Sequence, residues 1–219
     1  MNRVLEPEVM DKHENVQAYA HADFSTVNQM FVDRLVKHYS SYLNKVLDIG
    51  CGPADIPIRL VRALPKTHVT AVDASKNMIE SAKAAVKKAN FDNQISLVQA
   101  YLPGLPFELH SFDGIISNSI LHHLPEPILF WKEIMKLGKS GAVVCVMDLL
   151  RPDSPQRAKE IVEANAKDEH PLLKEDFYNS LLAAFTLGEV KEQLKSSGLQ
   201  KLKAEIISDR HWLVSGNLR

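Results

Sequence analysis

Between residues 45 and 149 short apolar runs alternate with amphipathic stretches long enough to be helices, and this order constrains the fold more than any other feature of the chain. Residues 45–49, 68–72, 94–99, 112–117 and 142–149 read as strands, and 54–64, 75–88 and 127–137 as helices. Strands separated by helices pair in parallel, because the intervening helix supplies the crossover that a parallel neighbour needs. The last two apolar runs, 202–207 and 211–214, lie too close together for a crossover, so only an antiparallel hairpin can join them. The expectation is an α/β fold: a doubly wound, seven-stranded, mostly parallel sheet with an antiparallel last strand and helices on both faces.

The remaining segments attach to that core. The first forty residues read as two helices with a break near Ala22 and Asp23, and Ser25 is placed to cap a second helix carrying Val27, Met30, Phe31, Leu35 and Val36. Residues 152–185 form a polar, mostly helical insertion after the fifth strand, and a helix from Leu187 to Ser196 ends at Gly198. At 219 residues a single domain can bury a sizeable core. It divides into an N-terminal helical lid (1–43), a cofactor-binding core (44–150), a helical insert (151–186) and a C-terminal helix with its hairpin (187–219).

The first strand runs into Gly50-Cys51-Gly52-Pro53-Ala54-Asp55, where the glycines let the backbone turn without a Cβ in the way of a ligand. The second strand ends at Asp73, a carboxylate placed to accept hydrogen bonds from ribose hydroxyls. A dinucleotide fingerprint would put a third glycine where this chain has Asp55, whose charge would repel a pyrophosphate. Small residues at alternate positions after an acidic one (Asp48, Gly50, Gly52, Ala54) resemble instead the first motif of the class I S-adenosylmethionine-dependent methyltransferases. Ser111 to Ser119, continued by Ile120-Leu121-His122-His123-Leu124, is similar to that family's fourth-strand motif, and residues 45–150 follow its core in order and spacing.

The resemblance implies S-adenosylmethionine as methyl donor and S-adenosylhomocysteine as product, with no metal expected. It places Asp48, Gly50, Cys51 and Gly52 at the amino-acid half of the cofactor and Asp73 at the ribose, with Ala74 and Met78 also among the cofactor-binding residues. Tyr101 and Leu102 fall on the adenine side, where the usual carboxylate is missing, and Asn118, Ser119 and the lid's Tyr19 complete the cofactor-binding set. Ala54 stands for a usual glycine, a change the turn tolerates if the residue has helical dihedrals. Transfer is expected to be direct and in line, a step that rests on positioning more than on functional groups.

A base is needed only for a protonated acceptor, and His123, beside His122 at the ligand-facing edge, is the candidate. The alternative for one of the two rings is packing beneath the helix that starts near Glu126. Asp148, ending the fifth strand, either points toward an acceptor or caps the loop at Arg151. Phe130, Trp131 and Met135 follow helical spacing and read as core.

A small-molecule acceptor is the leading expectation, in a cavity made by the N-terminal helices and the insert. Twenty-six basic against 27 acidic residues give a net charge of −1, without the excess of a nucleic-acid binder. Asn118 is followed by Ser119-Ile120-Leu121 and not by the Pro-Pro-aromatic sequence of enzymes that methylate amino groups of bases or protein amides. The alternatives are a protein or nucleic-acid methyltransferase, and a protein that binds the donor without turnover. Cys51 and Cys145 read as buried, reduced thiols without metal-ligand spacing. The start has no signal-like run and no stretch is long enough to span a bilayer, so a cytoplasmic location is expected. Neither the acceptor atom nor the oligomeric state is readable from the sequence.

Overall fold

In a computed structural model the chain is described over residues 1–6 and 24–218, so Tyr19 and the first of the two expected N-terminal helices lie outside the described residues. The elements run α1 (Ser25–Tyr39), β1 (Lys45–Ile49), α2 (Asp55–Ala63), β2 (His68–Asp73), α3 (Lys76–Ala89), β3 (Ile95–Gln99), β4 (Phe112–Asn118), α4 (Pro127–Leu137), β5 (Gly138–Leu149), α5 (Pro155–Ala166), α6 (Pro171–Ala183), α7 (Leu187–Ser196), β6 (Lys203–Ile206) and β7 (His211–Asn217). Single turns of 3-10 helix lie at Ser40–Tyr42 and Leu121–His123.

The seven strands make one sheet in the order β3-β2-β1-β4-β5-β7-β6. Pairing is parallel from β3 through to β5, and β7 is antiparallel to both β5 and β6. Strand order reverses between β1 and β4, which puts the crevice for a ligand at the carboxyl ends of those two strands.

Period-two alternation sends each strand's side chains to both faces. In β5, Val143, Cys145 and Met147 join a core with Phe31, Val32 and Leu35 of α1, Leu60 of α2 and Ala82 of α3. Ala142, Val144 and Val146 pack on the opposite face with Phe130, Trp131 and Ile134 of α4 and Val190 and Leu194 of α7. Each large apolar side chain fully buried this way contributes roughly 1.5–3 kcal/mol. The helices after β5 have a smaller core of their own, in which Ala158, Ile161, Val162 and Leu181 pack on Leu149.

Local chemistry sets the helix ends. The Ser75 hydroxyl accepts the Met78 N–H at 3.2 Å and Asn90 closes α3 in a left-handed conformation, behind Lys87 and Lys88. Thr186 and Glu189 form a reciprocal capping box on α7. Ser25 is the first residue of α1, whose N-cap falls on Phe24, one position earlier than expected.

Two further expectations need correction. β5 begins at Gly138 and not at residue 142, because residues 139–142 bulge out opposite Asp113 between the pairs Phe112 with Gly138 and Gly114 with Val143. The exposed Lys139 in that bulge reaches the Asp113 carboxylate at 2.6 Å, which hides the strand from an apolar count. Met135 is 41% exposed while Phe130 and Trp131 are fully buried, since its position points away from the sheet. Among the described residues no helix is long and apolar enough to cross a membrane.

Candidate active site

The crevice is built from the strand ends upward. Gly50 (φ 78°) and Gly52 (φ 51°) occupy the left-handed region that favours glycine. The Gly50 and Cys51 N–H groups both donate to the Val72 carbonyl, at 2.7 and 2.9 Å, and stitch the turn to the end of β2. A Cβ on Gly50 would stand 1.9 Å from Cγ1 of Ile120, so the chain leaving β4 lies directly on the turn.

Ala54 departs from expectation. It is left-handed (φ 66°, ψ 26°), not helical, and sits just outside α2 with its methyl group completely buried. The turn requires that conformation to launch the helix, at a cost of about 1–2 kcal/mol for a residue with a Cβ.

Asp73 braces the turn. Its Oδ2 accepts the Gly52 N–H at 2.8 Å and its Oδ1 the Ser75 N–H at 2.9 Å. The carboxylate retains acceptor capacity that could serve a ribose hydroxyl. Burial raises its pKa, and the backbone donors and the charge of His123 offset that rise only in part. Asp48 lies beneath the turn, 1% exposed, and its Oδ2 has no hydrogen-bond partner among the described residues. Burial, followed by repulsion from Asp73, pushes its pKa up to about 8. An orphaned buried carboxylate at this position suits a cationic group entering the crevice, as the ammonium of S-adenosylmethionine would.

The other expected cofactor residues ring the same edge. The Ala100 N–H donates to the Asp73 carbonyl and the Gln99 amide to the Ala74 carbonyl, both at 3.1 Å, which brings the end of β3 alongside Asp73. Leu102 is half-buried there, Met78 is buried, and Tyr101 is 65% exposed. Ser119 is left-handed (φ 57°) at the end of β4. Asn118 donates to Asn28 Oδ1 at 3.3 Å, Asn28 donates to Asp55 Oδ2 at 2.9 Å, and Arg59 donates to the same oxygen at 2.7 Å. Asp55, the residue that weakens the dinucleotide reading, thus joins α1 to the glycine turn, and Asn28 enters the site without a signal in the sequence.

The two histidines have different surroundings. His122 is 3% exposed, with Nδ1 2.5 Å from Asp148 Oδ1. The other Asp148 oxygen accepts the His122 backbone N–H at 3.2 Å, so Asp148 serves the histidine turn and not the loop at Arg151. Burial pulls the His122 pKa down, but the Asp148 carboxylate more than offsets this and the net direction is up. His123 is partly open, its ring centroid 4.1 Å from that of His122, and its Nδ1 meets Oε2 of Glu6. Glu6 Oε1 accepts the Ser180 hydroxyl at 2.5 Å.

The N-terminal residues that deliver Glu6 are held by Arg3. Its guanidinium donates to the carbonyls of Ala183 (2.6 Å), His122 (2.7 Å) and Leu124 (3.0 Å), and lies 4.0 Å from the centre of the Phe185 ring. Neither Arg3 nor Glu6 is marked by any motif.

A glycine turn, a carboxylate on the neighbouring strand and a crevice at the reversal of strand order define a Rossmann-like protein that receives an adenosyl cofactor. A family model described as a methyltransferase domain matches residues 46–141. A demethylmenaquinone methyltransferase of Listeria welshimeri is 29% identical over 165 residues, which cover 75% of this chain and 68% of that protein. A 2-phytyl-1,4-naphtoquinone methyltransferase of Nostoc punctiforme is 32% identical over 114 residues, covering 52% of this chain and 50% of that protein. The crystal structure of an S-adenosylmethionine-dependent methyltransferase from Aquifex aeolicus superposes with a TM-score of 0.69 over 93% of this chain and 97% of that one, at 17% identity, a likeness of fold. Residues 46–141 thus match a methyltransferase domain, and the chain as a whole is similar in fold to an S-adenosylmethionine-dependent methyltransferase. The chain's donor is S-adenosylmethionine and the product of that donor S-adenosylhomocysteine.

Proposed function

We propose that this methyltransferase acts on a small molecule whose nucleophilic atom is received at the His122–His123 turn. The observation that carries the reading is the enclosure of that turn: Asp148 backs one ring, Glu6 the other, and Arg3 ties the turn to the end of α6. β4 pairs in parallel with β1, so the turn that follows β4 lies at the same sheet edge as the donor crevice. A site walled in this way suits a compact acceptor better than a duplex or a folded protein surface. The relatives named for quinone substrates favour the same class.

The sulfonium needs no activation. The acceptor's lone pair attacks the methyl carbon, the carbon–sulfur bond breaks with its electron pair left on sulfur, and alignment can supply on the order of 7–11 kcal/mol. The described part of the cofactor set, from Asp48 to Ser119, holds the donor for that attack, and His123 meets the acceptor. The reading places the enzyme in the cytoplasm, in keeping with the free, buried thiols of Cys51 and Cys145.

The test is a panel of hydroxylated aromatics including reduced naphthoquinones, imidazoles, amines and thiols, incubated with enzyme and donor and followed by S-adenosylhomocysteine release and product mass. A methylated member of the panel is expected. Methylation confined to RNA, DNA or protein would overturn the assignment, as would tight donor binding without transfer to any acceptor.

A further inference from the structure

Among the described residues, one group of three side chains could hold a metal ion: Glu6, His122 and His123 each place a carboxylate oxygen or imidazole nitrogen within 4.8 Å of the other two. We propose that these three side chains bind one divalent first-row transition ion at the acceptor end of the crevice. The composition, two imidazoles and a carboxylate, is that of sites which keep coordination positions open for an exogenous ligand.

The supporting groups are those a metal centre requires. A ligating histidine presents one nitrogen to the ion while the other donates to a carboxylate, which fixes the tautomer and makes the ligand more basic. His122 already has this arrangement, with Nδ1 against Asp148 at 2.5 Å, which leaves Nε2 for the ion. Glu6 is oriented similarly, since Ser180 occupies Oε1 at 2.5 Å and Oε2 faces His123. Arg3 pins the histidine turn by its bonds to the His122 and Leu124 carbonyls. The set is graded in depth, with His122 3%, Glu6 11% and His123 24% exposed, so an ion would be held from the protein side and open toward the crevice.

The proposal deepens the acceptor reading and rests on it for its role in the reaction. An acceptor oxygen, nitrogen or sulfur bound at the open positions would lose its proton to solvent more readily beside the cation, and its remaining lone pair would take the methyl group. His123 would then act on the acceptor as a ligand, in place of the proton acceptor expected from the sequence.

The experiment uses the full chain, freed of metal by chelation and titrated with Co²⁺ alone, read by calorimetry and by visible absorption. One ion per chain is expected, with absorption bands showing nitrogen coordination. Glu6→Gln and His123→Asn, both at partly open positions, should each weaken binding by at least about 100-fold while S-adenosylmethionine affinity stays within about twofold. Thermal melts and donor binding identify any variant that fails to fold, and His123→Cys, which puts a thiolate ligand in place of the imidazole, should recover part of the affinity. Lack of saturable binding, or equal binding by native and folded variant chains, would overturn the proposal. A chain that methylates its acceptor yet takes up no cobalt would overturn the metal site alone. One that binds cobalt here yet methylates only a macromolecule would overturn the acceptor reading instead.

Discussion

Asp48 is a residue whose stability and function pull in opposite directions. Its carboxyl titrates at about 8 in the folded chain, far above its ordinary value of 3.8, so the native state holds a proton that the unfolded state has released. Its contribution to stability therefore worsens as pH rises from roughly 4 to 8. Asp48→Asn should raise the melting temperature of the ligand-free protein at pH 7.5 and weaken donor binding at least tenfold, measured by thermal melts and calorimetry. For the native chain, donor affinity should climb between pH 6 and 7.5 with proton release on binding, read from calorimetry in buffers of different ionisation enthalpy. Gly50 is governed by geometry instead. Gly50→Ala adds a Cβ at positive φ against Ile120, and strain plus overpacking should cost about 2–4 kcal/mol in a urea melt. The importance of Gly50 was readable because its neighbours form a motif. The left-handed Ala54 was not, because an alanine carries no mark of the backbone angle forced on it by the turn.

At the scale of elements, the order of strands and helices was legible because each buried strand is a short apolar run and each helix has a one-sided stripe. The start of β5 was lost where exposed Lys139 and Ser140 interrupt the apolar run within a bulge. The β6–β7 hairpin, inferred from its short connection, carries a titration of its own. His211, the first residue of β7, is buried beside Arg210, and burial first and that charge second lower its pKa to about 4. Below pH 6.5 the unfolded chain takes a proton that the native chain refuses, so stability falls between about pH 6.5 and 4, by about 3 kcal/mol at most. His211→Gln should flatten this acid limb in urea melts at pH 4.5 and 7, since the lost contact with Ser208 lowers stability at both pH values alike; a native-like difference between them would contradict the assignment.

Across the whole molecule, the sequence made the donor side far more legible than the acceptor side. The donor crevice comes from consecutive strand ends, where local order and spatial order coincide. The acceptor end is assembled from Arg3 and Glu6 at the N-terminus, His122 and His123 after β4, Asp148 on β5 and Ser180 on α6, and no spacing rule joins segments so far apart. Arg3→Ala removes three bonds that cross this assembly, so it should lower the rate of transfer at least tenfold and leave donor affinity within about twofold, measured by product release and calorimetry. The central claim is that the glycine turn with Asp48 and Asp73 receives S-adenosylmethionine. Calorimetric titration of the native chain and of Asp73→Ala with S-adenosylmethionine and with a nicotinamide dinucleotide tests it most directly. The account predicts one S-adenosylmethionine per native chain, at least about 100-fold weaker binding by a folded Asp73→Ala protein, and no saturable binding of the dinucleotide. Binding of the dinucleotide alone, or S-adenosylmethionine affinity unchanged by Asp73→Ala, would contradict it.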